Sequence, residues 1–289
     1  MTGIRPMFLL GLSLGFTIGA LGCTTTHLSS NPQGSKVDLL AQCEREFRQG
    51  TIDRAMETAS AAIRLIPERA DVWNARGFVY ASQGLMEKAL EDFLKAAQLD
   101  PTNATYQNNL GVAYLESGQS VAALEAFDRA LQLEPQSARA YNHRGKAYRY
   151  LGKLDEALHD FNAATKLDEQ NATIYANRAV VYALKGEYGQ AKTDLDRAIG
   201  LNTAMPEAYQ SRGLIEMLVG EFDSAEKDFS RAVSLGIGDT MLYYNRAIAR
   251  SLLGDSAGSH KDYENSCRRG YSPACGLSMI NSQTVRPSL

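Results

Sequence analysis

Six side chains in the middle of this chain carry a chemistry of their own. Arg139, Asn142, His143, Lys146, Arg149 and Tyr150 recur at offsets of three and four, the spacing that aligns residues along one face of an α-helix. Cations set among an amide, an imidazole and a phenol can hold a carboxylate through charge-assisted hydrogen bonds. Asn108 and Asn109 precede this cluster and Asn177 follows it, while Val112, Leu115, Val180 and Leu184 flank it as candidate contacts for apolar side chains. The same residues can equally be read as a solvated basic face, and spacing alone leaves both readings open.

Bond-making chemistry finds no comparable support. There is no phosphate-binding glycine loop, no nucleophile elbow and no paired metal-binding histidine motif. His143 has no positioned acid or nucleophile beside it, and His27, His159 and His260 fall on unrelated positions. The expectation is therefore a non-enzymatic protein with no cofactor and no metal. Thirty Lys and Arg against 33 Asp and Glu, a net charge of −3, argue against nucleic acid as a partner, because phosphate neutralisation needs a surplus of cations. Charged residues at 22% and hydrophobic residues at 44% argue against wholesale disorder.

The elements that would position the cluster show themselves as a repeat. The chain matches itself at a 34-residue offset, with units beginning at Lys36, Ala70, Ala104, Ala138, Ala172, Pro206 and Thr240. The fifteenth position is Gly in every unit, from Gly50 to Gly254, as expected for a residue that closes a helix in the left-handed conformation. The eighth is always small (Cys43, Gly77, Gly111, Gly145, Ala179, Gly213, Ala247), which lets two antiparallel helices approach closely. Aromatics at positions four and twenty-four fill the remaining space, Pro67, Pro101 and Pro135 stop second helices, and Leu65, Leu99, Leu133, Leu167, Leu201 and Leu235 are expected to seal their ends. Position seven is Arg76, Arg144, Arg178, Arg212 and Arg246, and position twenty-three in the same units is Asp92, Asp160, Asp194, Asp228 and Asp262. Where position seven is Leu110 or Gln42, position twenty-three is Ala126 or Thr58. Positions that change together predict an ion pair between the two helices of a unit, with a role in register more than in stability.

This pattern resembles the tetratricopeptide repeat (TPR) family over residues 36–273. The resemblance implies an all-α, right-handed superhelical solenoid of seven helix–turn–helix units: 36–69, 70–103, 104–137, 138–171, 172–205, 206–239 and 240–273. It also implies a groove lined by the first helix of each unit, in which the Arg139 cluster resembles the carboxylate-binding clamp of some family members. Here the cations sit in one unit instead of being spread over three. The partners so implied are proteins or peptides with an acidic or C-terminal carboxylate group. The end units depart from the pattern, with Leu39, Glu46 and Ala59 in aromatic positions of the first and Arg250 in place of a Tyr in the last. Such end units could also mediate self-association.

The two ends read differently from the repeats. Residues 1–22 have one charge, Arg5, and an apolar run of about 15 residues, short for a membrane-spanning helix. Ala20-Leu21-Gly22-Cys23 resembles the lipobox of bacterial lipoproteins, which makes Cys23 the lipidated first residue of the mature chain and 23–35 a polar tether. Thr24 after the cysteine implies, by that resemblance, an outer-membrane lipoprotein facing the periplasm. Residues 274–289 are expected to begin a capping helix. Cys267 and Cys275 resemble the bridging cysteines of Sel1-like repeat proteins, and export makes a disulfide between them plausible. The function expected is a scaffold recruiting envelope proteins such as cell-wall enzymes, proteases or secretin subunits; a cytoplasmic or soluble co-chaperone with a basic clamp is the alternative.

Overall fold

A computed structural model describes residues 36–277. The export signal at 1–22, the lipidation site Cys23, the tether to residue 35 and the tail from 278 to 289 lie outside the described residues.

All regular structure among the described residues is helical, and consecutive helices pair. The described residues fall into two compact units. The first, 36–167, holds Lys36–Arg48 (α1) with Ile52–Leu65 (α2), Ala70–Ser82 (α3) with Met86–Leu99 (α4), Ala104–Glu116 (α5) with Ser120–Leu133 (α6), and Ala138–Tyr150 (α7) with Leu154–Leu167 (α8). The second, 168–277, holds Ala172–Leu184 (α9) with Tyr188–Leu201 (α10), Pro206–Val219 (α11) with Phe222–Ser234 (α12), and Thr240–Leu252 (α13) with Ser256–Arg268 (α14). A further helix, α15, begins at residue 272.

One turn joins the two helices of every pair. The glycine at position fifteen has φ between +73° and +86° in all of them, a conformation that costs a Cβ-bearing residue steric strain. The backbone N–H of position sixteen donates to the carbonyl of position eleven, as in Thr51 to Glu46 at 3.0 Å, Gln119 to Tyr114 at 2.8 Å and Glu221 to Glu216 at 2.8 Å. That bond satisfies a carbonyl otherwise stranded at the helix end.

Close approach within a pair follows from matched volumes. A Cβ on Gly77, Gly111, Gly145 or Gly213 would meet the ring of Phe93, Phe127, Phe161 or Phe229 at 2.5–3.0 Å. Where position eight carries a Cβ, the facing residue is something other than Phe: Ala59 opposite Cys43, Leu195 opposite Ala179 and Tyr263 opposite Ala247. The Cys43 thiol is buried, and burial together with Glu46 and Glu44 pushes its pKa up to about 11, so it behaves as a small packing residue. Three of the six leucines at the ends of second helices do not seal them: Leu65, Leu133 and Leu167 are 55%, 42% and 43% exposed, whereas Leu99 and Leu201 are half-buried and Leu235 packs against the core of the second unit. In those three helices the seal lies two residues earlier, at Ile63, Leu131 and Thr165, on the face that turns inward.

The Arg–Asp pairs form in all five places. Each guanidinium donates through Nε and Nη2 to both carboxylate oxygens, as in Arg144 to Asp160 at 2.7 and 2.8 Å and Arg212 to Asp228 at 2.6 and 2.8 Å. Arg76–Asp92, Arg178–Asp194 and Arg246–Asp262 repeat the geometry. Each arginine also faces aromatic rings of its own helix, Trp73 and Tyr80 for Arg76 and Tyr141 and Tyr148 for Arg144. In the exceptional first pair, Glu46 bridges the two altered positions, accepting from Gln42 Nε2 at 2.9 Å and Thr58 Oγ1 at 2.7 Å.

At the C-terminal end Cys267 and Cys275 are joined by a disulfide that ties α14 to α15. Ala274 of α15 is fully buried against Ala247 and Tyr263, and the Tyr244 ring meets Tyr263 and Tyr271 at 5.7 and 4.8 Å.

Candidate functional site

In the first unit α3, α5 and α7 stand side by side, and the candidate residues form a polar lattice across them. Asn109 Nδ2 on α5 donates to Asn74 Oδ1 on α3 at 2.8 Å, and Arg139 Nη2 on α7 donates to Asn109 Oδ1 at 3.1 Å. One turn along, His143 Nδ1–H donates to Asn108 Oδ1 at 2.9 Å. Asn74, Asn108, Asn109 and Asn142 are all buried. The amides therefore hold the helices in register instead of standing free for a partner. This corrects the sequence-based picture of an exposed mixture of charge and amide: a buried amide must be bonded within the fold.

What reaches the surface is the cationic layer above that lattice. Arg139 bonds the Asn109 amide, and burial lowers its pKa. Lys146 lies 3.9 Å from Glu116, and burial lowers its pKa too. Arg149 stacks on Tyr150 at 4.7 Å, with Tyr150 itself 58% exposed. Burial, then Arg139 and Lys146, keep His143 neutral with a pKa well below its ordinary value. Two buried donors here, Asn108 Nδ2 and Arg149 Nε, have no hydrogen-bond acceptor. Partly desolvated cations beside two unbonded buried donors make a site that favours an anion.

The flanking apolar residues divide. Leu115 is buried in the core of the first unit and Val180 in that of the second, so neither offers a contact surface. Val112 is half-buried and Leu184 is 37% exposed. Asn177 is buried on α9, in the second unit.

The corresponding face of the second unit is mostly apolar. Leu214 and Met217 on α11 are buried, Ile248 on α13 is half-buried, and Leu252 is 56% exposed. Gln210 Nε2 donates to Asp239 Oδ2 at 3.3 Å.

One regularity escaped the sequence reading altogether, and a second was seen only at Arg250. The third nitrogen of a position-seven arginine reaches position twenty-five of the preceding pair: Arg144 Nη1 to Asp128 at 2.6 Å, Arg212 to Asp196 at 2.6 Å, Arg246 to Ser230 Oγ at 3.2 Å. The signal was present, because the apolar exception Leu110 is preceded by Leu94 at that position. The second concerns position eleven, which is Tyr in the middle pairs but Glu216 and Arg250 in the last two. Glu216 pairs with Lys192 at 3.3 Å and Arg250 with Glu226 at 2.9 Å, each across a junction between pairs. Among the described residues, no group of three or more His, Cys, Asp or Glu is arranged to hold a metal ion.

Comparison with known proteins agrees with this architecture. The TPR repeat family matches residues 79–118, 113–149 and 145–186, and the tetratricopeptide repeat family matches 172–204. No curated protein matches the chain in sequence. Among solved structures, the chain is similar to a tetratricopeptide repeat protein from Parabacteroides merdae ATCC 43184 (19% identity, 86% of this chain and 98% of that one, TM-score 0.65). It is also similar to PilF of Pseudomonas aeruginosa (18% identity, 75% and 97%, TM-score 0.64). A third is YrrB, described as a TPR protein with an unusual peptide-binding site (21% identity, 67% and 99%, TM-score 0.52).

Proposed function

The chain belongs to the tetratricopeptide repeat family, a family of protein-interaction scaffolds, and we propose that it is a lipid-anchored adaptor of the periplasmic face of the outer membrane. The observation that carries the binding reading is the cationic layer on α7. Arg139, Lys146 and Arg149 lie over the asparagine lattice of α3 and α5, where two buried donors, Arg149 Nε and Asn108 Nδ2, are unbonded. A peptide carboxylate, at a chain end or on an acidic side chain, suits that layer because it accepts several donors at once and returns the charge that burial opposes. The peptide-binding site for which YrrB is described supports a peptide as the kind of ligand. The Ala20-Leu21-Gly22-Cys23 sequence supports the lipid anchor, and the Cys267–Cys275 disulfide supports an oxidising compartment. The proteins so recruited are envelope proteins, with cell-wall enzymes, proteases and secretin subunits as the candidate classes.

The test is in-cell crosslinking and capture of the lipidated protein beside its Arg139→Glu/Lys146→Glu variant. The variant loses the wild-type partners while its helical circular dichroism is unchanged; retention of every partner removes α7 as the binding face. Mass spectrometry of the mature N terminus tests the anchor separately. Acylated Cys23 is expected, and an uncut residue 1 would instead favour the cytoplasmic co-chaperone reading.

A further inference from the structure

The junction between α10 and α11 differs from those of the first unit. There position eleven is Tyr80, Tyr114 or Tyr148, and position twenty-one of the preceding pair is Met56, Leu90 or Leu124, so these junction positions carry apolar or aromatic side chains. Tyr114 and Leu90 pack into one hydrophobic cluster. In the second unit the same two positions hold Glu216 and Lys192.

Glu216 is 3% exposed. Its Oε1 lies 3.3 Å from Lys192 Nζ, and its Oε2 is buried with no hydrogen-bond partner. Lys192 is shared, since it also pairs with Glu221 in the turn after α11. Arg212, one helical turn before Glu216, commits Nε and Nη2 to Asp228 on α12 and Nη1 to Asp196 on α10. On α9, Arg178 is held by Asp194; on α13, Arg246 and Arg250 are held by Asp262 and Glu226. The carboxylate thus faces one shared ammonium, one committed guanidinium and the like charge of Asp228. A buried carboxylate oxygen without a donor loses its hydration with little in return.

We propose that the α10–α11 junction is a proton-responsive joint: a proton on Glu216 lets α11 seat against α10, and ionisation of Glu216 loosens that seat. Protonation removes the uncompensated charge, and Lys192 keeps Glu221 as its partner. Burial, with Asp228 adding to it, raises the Glu216 pKa to about 7 against the pull of Lys192 and Arg212. The exchange therefore falls at neutral pH. Because the folded-state value lies above the ordinary carboxylate value, the joint is tightest below the ordinary value and weakens as pH rises through about 7.

The full chain, wild type and Glu216→Gln, is compared from pH 5.5 to 8.5 by amide hydrogen exchange corrected for intrinsic rates. Protection in α10 and α11 of the wild type falls by about tenfold or more over that range. Glu216→Gln, which cannot ionise, keeps its protection at pH 8.5. Lys192→Met moves the loss of protection to lower pH if the ammonium chiefly braces the junction, and to higher pH if its main action is on the Glu216 charge; the joint requires the second. Carbon-13 titration of the Glu216 carboxyl in the wild type is the control that needs no variant to fold. A midpoint below pH 5, or exchange profiles that change in parallel in wild type and Glu216→Gln, overturns the proposal.

Discussion

The two units share one framework and diverge wherever that framework leaves a side chain free. Both close their pairs with a left-handed glycine, pack Phe rings onto Gly, and bind the two helices of a pair with a bidentate Arg–Asp bridge. The first unit then carries partly desolvated cations on α7, and its junction positions between pairs are mostly apolar. The second carries an apolar first-helix face and charged junctions, Lys192–Glu216 and Glu226–Arg250. Packing constrains the framework positions so tightly that divergence accumulates elsewhere, on the first-helix face and at positions eleven and twenty-one of the junctions.

That comparison can be broken first at the framework. Phe161→Ala and Phe229→Ala each remove a fully buried ring opposite a glycine and should cost about 3–5 kcal/mol in urea denaturation. Costs differing by more than about 2 kcal/mol would mean the two cores are not equivalent. Asp160→Ala and Asp228→Ala should each cost about 3 kcal/mol, softened alike by the second carboxylates Asp128 and Asp196 that remain near the arginines.

The sharpest contrast is in pH. His143 is held neutral in the folded first unit, so its contribution is complete above its ordinary value of 6.5 and is lost as pH falls below it. Glu216 has the opposite sign: its contribution is complete below its ordinary value of 4.5 and is lost as pH rises to about 7, of the order of 2 kcal/mol. Hydrogen exchange should therefore show α7 loosening in acid and α11 loosening in base. A common direction in both units would end the contrast. The smallest effect lies at the caps. Asn103→Ala and Asn171→Ala remove side chains that accept from the first turns of α5 and α9 and should each cost about 1 kcal/mol in thermal unfolding.

Much of the framework is legible in the residues because each repeated position answers one local requirement. Position fifteen must reach positive φ, position eight must leave room for the residue that faces it, and positions seven and twenty-three must match each other. The co-variation of Arg144 with Asp160, broken at Leu110 and Ala126, pointed to the bridge without any coordinates. The candidate site was legible only in part. Offsets along α7 placed its cations on one face, but spacing within a helix says nothing of depth. The burial of Asn108 and Asn109, and the bond from Asn109 to Asn74, depend on the neighbouring helices. Glu216 was missed for a related reason: its partner Lys192 belongs to another pair, so comparison of position with position inside one pair passes over it.

The disulfide between Cys267 and Cys275 closes a loop with a sequence separation of only 8, for which chain entropy gives a gain of about 2.5 kcal/mol. In an array whose helices touch mainly their sequence neighbours, unravelling starts where a neighbour is missing. The bond clamps that weak point at one extremity, where Ala274 and Tyr271 shield the last pair. The first pair, α1 and α2, has no such clasp among the described residues. Reduction of the disulfide should therefore speed proteolytic trimming at α14 and α15 and leave the rate at α1 unchanged.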